Sequence, residues 1–302
     1  MSIKIENTQV FGWEGTIRGA RNPMNSWEKS DSLWFDGEEY YDICGNSGPT
    51  PKESNGTGLD VGYSDHKLLM NLCKGGTEEA KWRRMIHVQM DVTAPLYWWK
   101  EFETYKVGTV SNSCSTMHKI HAKEFTLDDF SCEHLLDQED LKDPSGGIPM
   151  TEVVIYDAGR EDYGYVEDDP RYEDEYYGDP GILTWPKQIL KITIAGLNFY
   201  REKFLETKDK KYWWQMIQLL PSSYNQRRTI DLNYEVLASQ YRQRKEHKLD
   251  EWRQYCDWIK TLPYSEFITM EQKPLNAKEK AELYEKAIDA VRTYHPMEET
   301  DA

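Results

Sequence analysis

The 302 residues carry 38% hydrophobic and 13% aromatic side chains, enough to bury the core of one sizeable domain. A formal net charge of −16 excludes a broad electrostatic grip on nucleic acid, which depends on Lys and Arg displacing counterions. A mean hydropathy of −0.81 suits a solvated chain, yet 11 Trp and 20 Tyr exclude one, because so many rings must be buried or stacked.

Residues 1–64 are rich in turn formers, with RGARNPMNSW at 18–27 and CGNSGPTPKESNGTG at 44–58, and are expected to form long ordered loops. Asp65 suits the cap of a helix through HKLLMNLCK, with Leu68, Leu69 and Leu72 on one side and Gly75-Gly76 ending it. Over 85–92, Ile86, Val88, Met90 and Val92 alternate with His87, Gln89 and Asp91, the pattern of a half-buried strand. Pro95 then fits the first turn of an aromatic helix over 96–106, where a missing N–H sacrifices no helical bond.

From about 120 to 185 the character changes. Residues 157–179 hold ten Asp or Glu against Arg160 and Arg171, with five Tyr among them, and read as an inserted, solvated lobe. Helical patterning returns at 186–219, and an amphipathic stretch over 231–259 repeats Leu232, Val236, Leu237, Tyr241, Trp252, Cys256 and Ile259. A last helix is expected over 277–294. The whole reads as a single domain of 1–302 with the acidic Tyr-rich insertion at about 120–185.

Five scattered cysteines without a Cys-x-x-Cys pair suit a reducing compartment, and the start MSIKIENTQV lacks signal-peptide regions, so a cytoplasmic location is expected. No apolar run reaches membrane-spanning length. Cys114, His118, His121, Cys132 and His134 are of the right types for zinc but follow no recognised spacing, so no metal site is assigned and packed or surface histidines are expected.

Two polar groupings stand out. The run Thr109, Ser111, Asn112, Ser113, Ser115 and Thr116 offers donors for a phosphate or a base edge, with Lys100, Lys106 and Lys119 nearby; equally, such a loop satisfies its own backbone. Gln226, Arg227, Arg228, Asn233, Arg242, Arg244 and His247 concentrate cations that either hold an anionic ligand or neutralise the chain's own carboxylates.

These segments resemble a known family. VTAPLYWWKEFETYK at 92–106 is similar to the stretch in which a strand leads through Ala-Pro to a helix ending in Arg-His-Arg, the signature of the flavin-dependent thymidylate synthases. DHKLLMNLCKGG and the strand after it match the family's helix, turn and strand in order. LLPSSYNQRRTIDLNYEVLASQYRQR resembles its Leu-Pro motif, in which Asn follows Pro by twelve residues and Arg follows Asn by eleven; Pro221, Asn233 and Arg244 meet both intervals.

The resemblance implies an α/β fold, a mixed sheet with flanking helices, assembled as a homotetramer. It also implies FAD, with NADPH and methylenetetrahydrofolate as co-substrates and a pyrimidine nucleotide, dUMP, as the methyl acceptor. Cofactor contacts are then expected at Thr104, Tyr105 and Lys106, which stand where the family has Arg-His-Arg, at Asn233, and at His247, one position from the family's His. Nucleotide contacts are expected at Glu101, in place of a Gln, at Asn112 and Ser115, and at Arg244. The family's Ser-x-Arg falls on Cys114-Ser115-Thr116 or, with a one-residue gap, on Ser115-Thr116-Met117, neither of which supplies the Arg, and a further phosphate-binding Arg is replaced by Ile217. A divergent methylating enzyme and a non-catalytic relative that reuses the fold for binding both remain open, as does transfer of a different one-carbon group with Tyr105 or Cys114 in a new role.

Overall fold

The computed structural model describes residues 3–35, 58–137 and 186–271. The acidic stretch at 157–179 and the helix expected at 277–294 lie outside the described residues. The chain forms an α/β fold, an antiparallel sheet with flanking helices. Its strands are β1 (Lys4–Phe11), β4 (His87–Pro95), β5 (Thr109–Ser113) and β6 (Asn225–Asn233), in the spatial order β1-β4-β6-β5. A smaller antiparallel ribbon joins β2 (Leu33–Phe35) to β3 (Gly58–Asp60), with Trp34 opposite Leu59.

The N-terminal region departs from the expectation of loops. It contributes β1 and helix α1 (Trp13–Arg21), joined at Gly12. Gly12 has φ 97°, and a Cβ there would run into the Met85 carbonyl oxygen, so the turn requires glycine on two counts. Helix α2 (Tyr63–Lys74) begins two residues before Asp65, and Asp65 is not its cap. Asp31, from a loop far upstream, takes that role: its carboxylate accepts from Ser64 N at 2.8 Å and Asp65 N at 3.0 Å. Asp65 instead turns inward to the buried Arg21, whose Nε donates to it at 2.6 Å.

The described residues fall into two compact units, one within 1–8 and 89–231, the other within 9–88 and 232–302. In the second, Trp13 is fully buried with its ring edge-on to Tyr234 and Tyr264, at centroid distances of 5.5 and 5.3 Å. Helices α6 (Tyr234–Arg244) and α7 (Asp250–Lys260) supply Leu237, Trp252, Tyr255 and Ile259 to this core. The amphipathic stretch expected over 231–259 is thus the end of a strand and two helices, parted at 245–249. Cys73 and Cys256 are buried here, and burial pushes their thiols up to about 11 and about 12.

In the first unit, the alternation read over 85–92 becomes β4, with Met90 and Val92 buried and Gln89 exposed. Helix α3 (Leu96–Phe102) buries Trp98, Trp99 and Phe102. Helices α4 (Pro186–Thr207) and α5 (Lys210–Leu219) pack Leu190, Ile194, Leu197 and Met216 against Ile120, Phe125 and Phe130. The first residues of the segment read as a solvated lobe are therefore core. Asn198 fixes them, its side chain both accepting from Phe125 N and donating to Phe125 O at 2.9 Å. Burial of each large ring in such a cluster stabilises by about 2 kcal/mol.

Candidate functional site

In the first unit the site residues are placed by β4, α3 and β5. Helix α3 ends four residues sooner than the pattern suggests, because Thr104 turns back on it: its N–H and hydroxyl both donate to Glu101 O, at 3.1 and 2.7 Å. Gly108, at φ 77°, then redirects the chain into β5. Thr104, Tyr105 and Lys106 therefore sit in the turn between helix and strand, Tyr105 half-buried and the other two exposed. Glu101 lies half-buried on the last turn of α3.

The polar run expected as a loop is largely strand. Thr109–Ser113 pairs as edge strand β5, and the pairing is extended by Cys114 N donating to Arg227 O at 2.9 Å and by Gln226 Nε2 donating to Cys114 O at 2.7 Å. Asn112 is exposed on that strand. Ser115 is exposed just beyond it, its hydroxyl oxygen accepting from Met117 N and His118 N at 3.2 and 2.9 Å. Part of the polarity thus satisfies its own backbone.

The two arginines of β6 hold the chain's own carboxylates. Arg227 reaches Asp91 at 2.7 Å. Hydrogen bonds from Thr229 and Asn7, then Arg227, hold the Asp91 carboxyl down at about 2. Arg228 pairs with Glu103 at 2.7 Å, bonds Gln226 Oε1 at 3.0 Å, and lies 4.4 Å above the Trp99 ring. Trp99 in turn donates its Nε1–H to Gln226 O at 3.0 Å. Sequence reasoning missed Asp91 and Glu103 as the partners. The only signal was an acidic residue at an outward-facing position of β4, which pairing across the sheet makes useful. Lys100, Lys106 and Lys119 are exposed and make no ion pair among the described residues.

In the second unit, Asn233 is the N-cap of α6. Its backbone is extended and its Oδ1 accepts from Val236 N at 3.1 Å. The residue is 7% exposed, and its amide nitrogen, which has no hydrogen-bond partner among the described residues, keeps contact with solvent. Arg244 closes the same helix, eleven residues on, so the two lie about 16 Å apart along the axis. The fold instead brings Arg244 and His247 together on one ring: the Arg244 guanidinium stands 4.8 Å from the Trp252 centroid and the His247 ring meets it edge-on at 6.3 Å. His247 Nδ1 accepts from Leu249 N at 3.2 Å, which puts the proton of the neutral ring on Nε2. Ile217 is half-buried against the aromatic cluster of the first unit.

No group of three or more His, Cys, Asp or Glu that could hold a metal ion occurs among the described residues. His121 packs its ring on Phe204 at 4.9 Å. No described helix is long and apolar enough to cross a membrane.

No protein-family model and no curated protein matches the chain. Solved structures do. The chain is similar to the flavin-dependent thymidylate synthase ThyX from Helicobacter pylori complexed with FAD and dUMP, at 12% identity and a TM-score of 0.50, over 90% of this chain and all of that one. A second structure of that synthase with FAD and dUMP matches at 12% identity and a TM-score of 0.49, over 88% and 95% of the two chains. The UMP/dUMP methylase PolB from Streptomyces cacaoi bound with 5-Br dUMP matches at 13% identity and 0.46, over 89% and 94%. At 12% identity, what the first of these likenesses shows is a shared fold.

Proposed function

We propose that the chain is a divergent flavin-dependent thymidylate synthase-like enzyme that methylates dUMP or a related pyrimidine nucleotide. FAD would be its cofactor, and NADPH and methylenetetrahydrofolate its co-substrates. The synthase whose fold it shares was solved with FAD and dUMP. The observation that carries the reading is Asn233: its oxygen is committed to the cap of α6, while its amide nitrogen, from which no described group accepts, is left to donate. That N–H reaches solvent and can donate to a group from outside the chain, and the flavin ring edge offers carbonyl acceptors. One amide donor here suits one flavin carbonyl. Arg244 and His247, gathered on Trp252, are the expected nucleotide and cofactor contacts at the other end of the helix, and Lys106 is the cation at the old Arg-His-Arg position. Flavin, when bound, would supply the redox chemistry; the chain's own residues bind and orient.

The test is an absorbance spectrum of the protein as purified and after incubation with FAD, followed by titration with dUMP. A retained flavin whose spectrum responds to dUMP is expected. Asn233→Asp sharpens it: Asp preserves the cap acceptor and removes the amide donor, so the melting temperature should change little while flavin retention falls. Equal retention in wild type and variant would remove Asn233 from the site.

A second reading, a non-catalytic relative that keeps the fold for binding or assembly, is favoured by one observation. Arg227 and Arg228 are occupied by Asp91 and Glu103, so they do not replace the missing phosphate-gripping arginines. Each charge-assisted bond to a desolvated phosphate contributes about 1.5–3 kcal/mol, and losing several weakens nucleotide affinity by orders of magnitude. No retained flavin and no response to dUMP would decide for this reading.

A further inference from the structure

Arg83 is 7% exposed, yet its guanidinium is poorly matched. Nη2 donates to a thioether, Met270 Sδ, at 3.1 Å. Nη1 stands 3.5 Å from Glu235 Oε2 without a hydrogen bond to it and keeps contact with solvent, and the buried Nε has no partner among the described residues. Cys73 lies beside the guanidinium, but burial pushes that thiol up to about 11, so it brings no charge near neutral pH. A buried guanidinium ordinarily holds a carboxylate or phosphate in its fork, because a buried charge left without close partners is costly.

The turn Ala80–Met85, which carries Arg83, leads straight to the start of α6, where Tyr234 N donates to Ile86 O at 3.1 Å. Val236 N is taken by Asn233 Oδ1. Glu235 N, between them, is bonded to no described group, and it lies at the positive end of a helix of 11 residues. The carboxylate set against Arg83 is Glu235 itself, whose side chain is 24% exposed and so can turn out to water.

We propose that Arg83 Nη1 and Glu235 N hold a phosphate group, the anion that flavin nucleotides and pyrimidine nucleotides share, and that the Glu235 carboxylate is the counter-ion the phosphate displaces. A phosphate offers oxygens to a guanidinium and to a backbone N–H at once, and each such bond is charge-assisted. The helix end adds its own preference for negative charge. Glu235 holds the place of that anion at 3.5 Å, a distance that leaves its oxygen unbonded. The choice of ligands for the test rests on the enzymatic reading; the site itself does not.

Titration calorimetry on the full chain tests it with ligands that differ by a phosphate: FAD and FMN against riboflavin, dUMP against deoxyuridine, and inorganic pyrophosphate alone. In wild type, the phosphate-bearing members of at least one series should bind at least about tenfold more tightly than the parent, and that series names the source of the phosphate. Arg83→Met should abolish the preference and leave riboflavin and deoxyuridine binding unchanged. Glu235→Gln removes the competing anion and keeps the cation, so it should widen the preference several-fold, and it tests the site even if Arg83→Met fails to fold. No preference in either series together with no pyrophosphate binding overturns the proposal, as does a preference that survives Arg83→Met or that Glu235→Gln reduces. Flavin and dUMP binding indifferent to both variants would sink the phosphate site and leave the enzymatic reading standing. Pyrophosphate binding that Arg83→Met abolishes, in a chain that retains no flavin, would do the reverse.

Discussion

At the residue scale, the strongest constraint is one carboxylate. Asp65 is fully buried and accepts from Arg21 Nε, from the hydroxyls of Ser30 and Ser32, and from the backbone N–H groups of Asp31 and Ser32. Burial pushes its pKa up, but the bonds from Ser32, Ser30 and Arg21 outweigh burial and hold it, net, below the ordinary carboxylate range. A carboxyl depressed in the folded state stabilises above its unfolded value of about 3.9, and that contribution is lost as pH falls through the lower folded value. Asp65→Asn should therefore destabilise by about 3–5 kcal/mol near neutral pH, leaving Arg21 charged and buried, and should flatten the acid limb of a urea-denaturation series against pH. A variant as stable as wild type at neutral pH would show that the pair contributes nothing net. The sequence pointed to Asp65 as a cap and missed Asp31, because a cap supplied from more than thirty residues upstream leaves no local pattern. Asn233 was singled out by its spacing as a cofactor contact, and its place as the cap of α6, through a bond three residues on, was not read from the sequence.

At the element scale, periodicity was legible where one face is buried and illegible at the margins of the sheet. Strand β4 announced itself through four alternating apolar residues. Strand β5 did not, because Thr109–Ser113 lies at the edge and is largely exposed, so its pairing with β6 selects backbone groups and leaves the side chains free to be Ser and Asn. Strand β1 hid for the same reason, an edge strand whose residues Lys4–Phe11 bury little beyond Val10. The junction from β1 to α1 yields a direct prediction. Gly12→Ala combines a positive φ with a collision against Met85 O, and should lower stability by about 1–3 kcal/mol in denaturant melts. Within the first unit, Trp99→Phe keeps most of the ring volume but removes the N–H that bonds Gln226 O. The expected loss is about 1–3 kcal/mol, from a buried carbonyl left without that donor. Unchanged stability would mean that a water replaces the indole.

At the scale of the whole molecule, three collinear segments in the sequence pointed to the fold. The sites were less legible, since the functional meaning of Arg227 and Arg228 depended on which carboxylates the sheet set beside them. The acidic balance, with a sequence pI near 5.0, predicts minimum solubility close to that pH, which turbidity against pH would read out. The cysteines add a kinetic handle. Cys73 and Cys256 lie buried in one unit with thiols near 11 and 12, whereas Cys114 is exposed and Cys132 half-exposed in the other. Alkylation needs a thiolate within reach of the reagent. Cys114 should therefore label at once in the native protein, and Cys73 and Cys256 only as often as their unit opens. A mass-resolved labelling time course would then act as a clock for the breathing of a single part of the chain, timed by its own sulfur atoms.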